Sequence, residues 1–178
     1  ALSGAFVKAG LWSKARTILE GVCSNRYATA GHFCLKGMAE QRLGQLDQAL
    51  VDFKTAARMS PGYTAAWHGL ADIHRVRLDL KNATECAEQA LRLDPEGFDV
   101  VVTCGHIEAA KGNSRQASHH FRKACDLRPD SAEAWVHLGI ALIYCGDSLP
   151  AIDALERAHQ LGVAEDWIFE HMGLLFTK

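Results

Sequence analysis

The chain has little surplus charge of either sign. Nineteen Lys and Arg stand against twenty-one Asp and Glu, a formal net charge of −2 over 178 residues, and no run of like charges interrupts the balance. That argues against nucleic acid or an anionic membrane surface as a partner. Long apolar runs are missing too. The longest, such as Leu138 to Cys145, fall well short of the roughly 20 residues a membrane-spanning helix needs. Six cysteines (Cys23, Cys34, Cys86, Cys104, Cys125 and Cys145) are scattered with no CxxC pair and no tight cluster. They read as buried, reduced thiols of a cytoplasmic protein in preference to disulfides. Residues Ala1 to Gly10 lack the basic start and apolar centre of a secretion signal, so no targeting segment is expected there. The chain opens without Met, as a fragment or a processed form does. P-loop, HExxH, nucleophile-elbow and dinucleotide signatures are all absent, so the sequence offers no support for catalysis and no cofactor or metal is expected.

What is present is a balance of 48% hydrophobic and 22% charged residues, that of an ordinary globular chain and not of a disordered one. It also repeats itself. A shift of 34 residues aligns Ala15, Ala49, Ala83, Ala117 and Ala151 with no insertion or deletion. In the same register Ser3, Gly37, Ala71, Gly105, Gly139 and Gly173 form a second column of small residues, and Val22, Ala56, Ala90, Ala124 and Ala158 a third. Small side chains at fixed intervals mark points where helices approach closely. Large apolar residues recur between them: Phe33, Trp67, Val101, Trp135 and Phe169 near the start of each unit, Leu19, Phe53, Phe121 and Leu155 in its second half. Gly10, Gly44, Gly112 and Gly146 fall midway, where a positive φ ends one helix and reverses the chain. Pro61, Pro95 and Pro129 fall at the unit ends, where a residue without an amide proton stops the second helix. Each unit therefore reads as helix, turn, helix, turn.

The period, with Trp67, Leu70, Ala71, Ala83, Ala90 and Pro95 in one unit and Trp135, Leu138, Gly139, Ala151 and Ala158 in another, resembles the tetratricopeptide repeat. The resemblance covers the whole chain: a partial repeat over 1–29, full repeats over 30–63, 64–97, 98–131 and 132–165, and a trailing helix over 166–178, all in one domain. It implies an all-α fold, a right-handed superhelix of antiparallel helix pairs. Some positions depart from the pattern. Glu40, His74 and Glu108 fill a slot usually held by an aromatic, Lys36 replaces a Leu, Leu78 replaces the turn Gly, and Ala87 replaces a large aromatic. The final helix, with Trp167, Ile168, Phe169, Met172, Leu174, Leu175 and Phe176, is too apolar for a solvating cap, so the native chain is expected to continue or that end to meet another surface.

The resemblance further implies that the first helix of each pair lines a concave face that holds a protein or peptide partner. Helical spacing then picks out the side chains that stand there. They include Met38 in one repeat, with Cys34, Gln41 and Arg42; His68, Asp72 and Arg75 in the next; Val102 and His106, with Thr103, Ala109 and Ala110; then Val136, His137, Ile140 and Tyr144; and last His171. Relatives that clamp a chain-terminal carboxylate need Lys, Arg and Asn converging here, and Cys34, Met38, Ala65, Gly69 and Thr103 do not supply them. The C-terminal half of this face is mostly apolar and suits an amphipathic helix or an apolar extended segment. His68, His106, His137 and His171, with Asp72 one turn after His68, invite a metal reading. They come from four successive repeats, however, and are read as groove histidines and not as a metal shell. His119 and His120 read as surface residues. The expected role is that of a scaffold or adaptor. The rival readings are the helical region of a larger enzyme whose catalytic domain lies outside the chain, and a homo-oligomer formed through the final helix.

Overall fold

The structure is a computed structural model that describes residues 2–164, apart from the side chains of residues 2, 3 and 8. Among the described residues there are ten helices and no strand. They form two compact units that divide between Pro95 and Glu96. The first contains α1 (Leu2–Lys8), α2 (Trp12–Cys23), α3 (Ala30–Arg42), α4 (Leu46–Met59), α5 (Thr64–Val76) and α6 (Leu80–Leu93). The second contains α7 (Phe98–Ala110), α8 (Ser114–Leu127), α9 (Ala132–Cys145) and α10 (Ser148–Gln160). The trailing segment expected at 166–178, with His171, lies outside the described residues.

The helix ends follow from residue chemistry. Gly44, Gly112 and Gly146 leave the first helix of their pairs at φ of +76°, +81° and +82°, a conformation that costs glycine nothing. Leu78 stands in the same column, 76% exposed, and is forced to φ +58°. A β-carbon there costs roughly 1 kcal/mol. At the other end of each pair, Ser60, Asp94 and Arg128 are extended, with φ of −142°, −142° and −137°, as the ring of the following proline requires.

Within the first unit α3 packs on α4, α4 on α5 and α5 on α6, and in the second α7 packs on α8, α8 on α9 and α9 on α10. The small-residue columns make this possible. Ala15, Ala49, Ala83, Ala117 and Ala151 are all fully buried. A methyl added to Gly105 would stand 2.6 Å from the Phe121 ring, and one added to Gly139 would stand 2.6 Å from Leu155. Phe53, Leu19, Ile73, Ile107, Leu138 and Leu155 fill the space beside these approaches. Burial of each such side chain stabilises the fold by about 1.5–3 kcal/mol. Trp67 and Trp135 tie each following helix to the preceding turn, their Nε1 donating to the carbonyls of Pro61 at 2.8 Å and Pro129 at 3.0 Å.

Candidate partner-binding pockets

Each unit opens a pocket between the first helices of two successive pairs. In the second unit His106 and Ala109 of α7 face His137, Ile140, Ala141 and Tyr144 of α9 across about 390 Å³, and Ala117 and Phe121 of α8 form the floor. Three rings make one cluster. His106 meets His137 edge to face at 4.4 Å and Phe121 at 5.2 Å, and His137 lies nearly parallel to Phe121, 5.2 Å between centroids. Burial lowers the His137 pKa, with Glu133, 3.6 Å from Nε2, pulling the other way. The ring is thus held toward its neutral form, and its π-face serves as an apolar wall. Tyr144 is 72% exposed at the rim.

The first unit has a pocket at the same register, two periods of 34 residues earlier. Met38, Gln41, Phe53, Gly69, Asp72 and Val76 hold the places of His106, Ala109, Phe121, His137, Ile140 and Tyr144. The chemistry differs. Gln41 Nε2 donates to Asp72 Oδ2, joining α3 to α5 across the opening. Arg75 adds Nε and Nη2 to Asp72 Oδ1 at 3.0 and 2.5 Å. Arg42 lies over the Trp12 ring at 5.5 Å, and His68 completes the wall. Where the second unit lays an imidazole on its phenylalanine, this one brings backbone: a methyl on Gly69 would stand 2.5 Å from Phe53.

Of the residues expected on this face, Met38, His68 and Asp72 line the first pocket, with Arg75 fixed on Asp72. His106, His137, Ile140 and Tyr144 line the second. Val102 and Val136 are half-buried and line neither. Cys34 and Thr103 are corrected: both are buried, and Cys34 packs into the core with Phe53, Leu70 and Ile73 because its side of α3 turns inward. His120 is also corrected. It is half-buried, and its pKa is lowered by burial first and by the neighbouring His119 second. Phe121, which the sequence pattern assigns only to the core, also lines the pocket. Its recurrence opposite Gly105 was the available signal that a flat ring reaches the base of the groove.

The departures from the repeat pattern hold a second set of charges. Lys36 Nζ lies 3.4 Å from Glu40 and 2.9 Å from Asp52, with both carboxylates almost wholly buried. Burial, then the adjoining Asp52, pushes Glu40 up to about 7, against the pull of Lys36. Glu108, in the same column, ends lower than usual. Burial raises it, but Lys111 and Asn113 bond its carboxylate, and the Lys111 and His120 charges add to the reversal. Among the described residues no group of three His, Cys, Asp or Glu is placed to hold a metal ion, and no helix is long and apolar enough to cross a membrane.

The Tetratricopeptide repeat family model matches residues 34–98 and 105–162. The chain belongs to the tetratricopeptide repeat family. It is 27% identical over 128 residues to Protein NPGR1 of Arabidopsis thaliana, covering 71% of this chain and 18% of that one. The chain therefore spans about a fifth of the length of that relative. Among solved structures, TTC0263, a thermophilic tetratricopeptide-repeat protein of Thermus thermophilus, superposes with a TM-score of 0.78 at 18% identity, covering 98% of this chain and 96% of that one. PilF of Pseudomonas aeruginosa gives 0.83 at 14% identity, covering 99% and 85%. Likeness at these identities carries the fold and nothing finer.

Proposed function

We propose that this chain is a protein-interaction module that anchors a bulky apolar side chain of a partner segment in the pocket between α7 and α9. One observation carries the reading: an open pocket whose walls are the His106, His137 and Phe121 rings with Ile140 and Tyr144, and whose α7 side is kept clear by Ala109. Aromatic walls and a polar tip at the rim suit a side chain desolvated on entry, the usual anchor of a partner segment. The first unit's pocket, about 460 Å³ and crossed by the Gln41 to Asp72 bond, lines its space with hydrogen-bonding groups in place of stacked rings. The role is one of holding, as a scaffold or adaptor, and not of catalysis. Among the described residues no disulfide joins the six cysteines, which suits a reducing compartment, and we propose the cytoplasm for this role.

Selection of peptides from a display library tests it. Peptides enriched on the chain should share a large aliphatic or aromatic residue and lose binding to Ala109→Asp and Tyr144→Asp, both at exposed positions and both checked for retained helicity. Enriched peptides that lack such a residue, or that bind both variants undiminished, would refute the proposal. The length of NPGR1 favours a second reading that is compatible with the first, in which this module serves a longer polypeptide with its own activity elsewhere.

A further inference from the structure

The first unit carries another cleft, on the opposite side of α5 from the pocket just described. Trp67, Leu70 and His74 of α5 line it, whereas His68, Gly69 and Asp72 line the other. The cleft encloses about 410 Å³. Its floor is apolar, made of Ala57, Trp67 and Leu70, and donors stand around it: Lys54 and Arg58 one turn apart on α4, His74 on α5 and Asn82 on α6. Lys54 and Arg58 are exposed, and among the described residues neither makes an ion pair. The nearby carboxylate of Asp79 is already engaged, by His74 Nδ1 at 3.0 Å and Asn82 Nδ2 at 2.6 Å, and does not line the cleft.

Exposed cations on a helix usually do no more than meet water, but the chain itself holds the same frame without this set of donors. Two periods later the frame recurs, with Trp135 bonded to the Pro129 carbonyl as Trp67 is to Pro61. The donors do not recur: Arg122 keeps the place of Lys54, but Asp126, Leu142 and Pro150 stand where Arg58, His74 and Asn82 do. The frame is thus a property of the repeat, and the donors are a property of this one place.

We infer that the cleft among α4, α5 and α6 is a binding site for an organic anion, a phosphate or carboxylate group carried on an apolar body. Lys54 and Arg58 hold the charge. The Trp67 face and Leu70 cover the body, and the cleft falls within the roughly 300–1,000 Å³ of small-ligand sites. A bare anion would leave the apolar floor unused, and a neutral body would leave the cations unpaired.

Nuclear magnetic resonance titration of the intact chain tests the site, with the Trp67 indole proton as reporter. Phenyl phosphate and benzoate are the two charged probes, inorganic phosphate supplies charge without a body, and benzyl alcohol a body without charge. At least one charged aromatic probe should shift the Trp67 signal saturably, and whichever binds tighter assigns phosphate or carboxylate. Inorganic phosphate should bind roughly tenfold more weakly and benzyl alcohol should not saturate. The double variant Lys54→Ala, Arg58→Ala, with its spectrum otherwise intact, should lose roughly tenfold in affinity. Tyr144→Asp should change nothing, so failure here leaves the α7–α9 pocket unaffected. The inference is overturned if neither charged probe saturates the Trp67 shift, if benzyl alcohol binds as well as they do, or if the double variant binds undiminished.

Discussion

Residues 38–76 and 106–144 occupy the same register of one repeat, two periods apart, yet open onto different chemistry. Each pocket has a phenylalanine at its base and a first helix on either side. In one, Gly69 brings backbone up to Phe53 and a Gln41–Asp72–Arg75 bridge crosses the opening. In the other, His137 lies on Phe121, and small Ala109 and apolar Ile140 leave the opening clear. The backbone frame is set by alanine and glycine columns that must stay small, so variation collects in the positions that frame leaves free. A repeat of this kind therefore separates what folds from what binds more cleanly than most domains do.

The largest break in the comparison comes from removing the second floor. Phe121→Ala should destabilise the second unit by about 3–5 kcal/mol, since it deletes a buried ring along with the support for His106 and His137. Urea unfolding followed by probes in α8 would measure it. Next is an attempt to copy one pocket into the other. Gly69→His reproduces the second unit's residue but drives its β-carbon into Phe53, and should cost roughly 1–3 kcal/mol through overpacking. A neutral outcome would mean that the Phe53 ring can move aside.

The two glutamates of one column sharpen the contrast through pH. Glu40 is raised, so its contribution to folding is fully present below the unfolded carboxyl value and is lost as pH rises through about 7. Glu108 is lowered, so its contribution is present above the unfolded value and is lost as pH falls through its folded one. Amide exchange should then show α3 gaining protection from Glu40→Gln increasingly between pH 5 and 8. For α7, protection should suffer from Glu108→Gln near pH 6 and less so under acid conditions. The smallest effect concerns a turn. Leu78→Gly should stabilise the first unit by about 1 kcal/mol, seen as a rise of a few degrees in its melting temperature, because it alone holds a left-handed turn without glycine among Gly44, Gly112 and Gly146.

The helices were legible because their determinants are local. Glycine, proline and alanine recur at the same offsets, and α3, α5, α7 and α9 begin at Ala30, Thr64, Phe98 and Ala132. The pockets were legible in part. Asp72, His106 and Tyr144 could be assigned to a face by helical spacing alone, but the same spacing admitted Cys34 and Thr103. Their burial depends on how far α4 and α8 lean over α3 and α7, which no single-helix argument supplies. Lys36 and Glu40 stand out in the sequence only as departures from a pattern, since the contact joining them to Asp52 runs between helices.

The central claim is that the second unit's pocket anchors the partner and the first unit's pocket does not. It is tested most directly by the affinity of one display-selected peptide for three proteins: the parent, Ala109→Asp in the second pocket, and Gln41→Asp at the same register in the first. The account predicts a loss of roughly tenfold or more for Ala109→Asp and little change for Gln41→Asp. Equal losses, or a loss confined to Gln41→Asp, would contradict it.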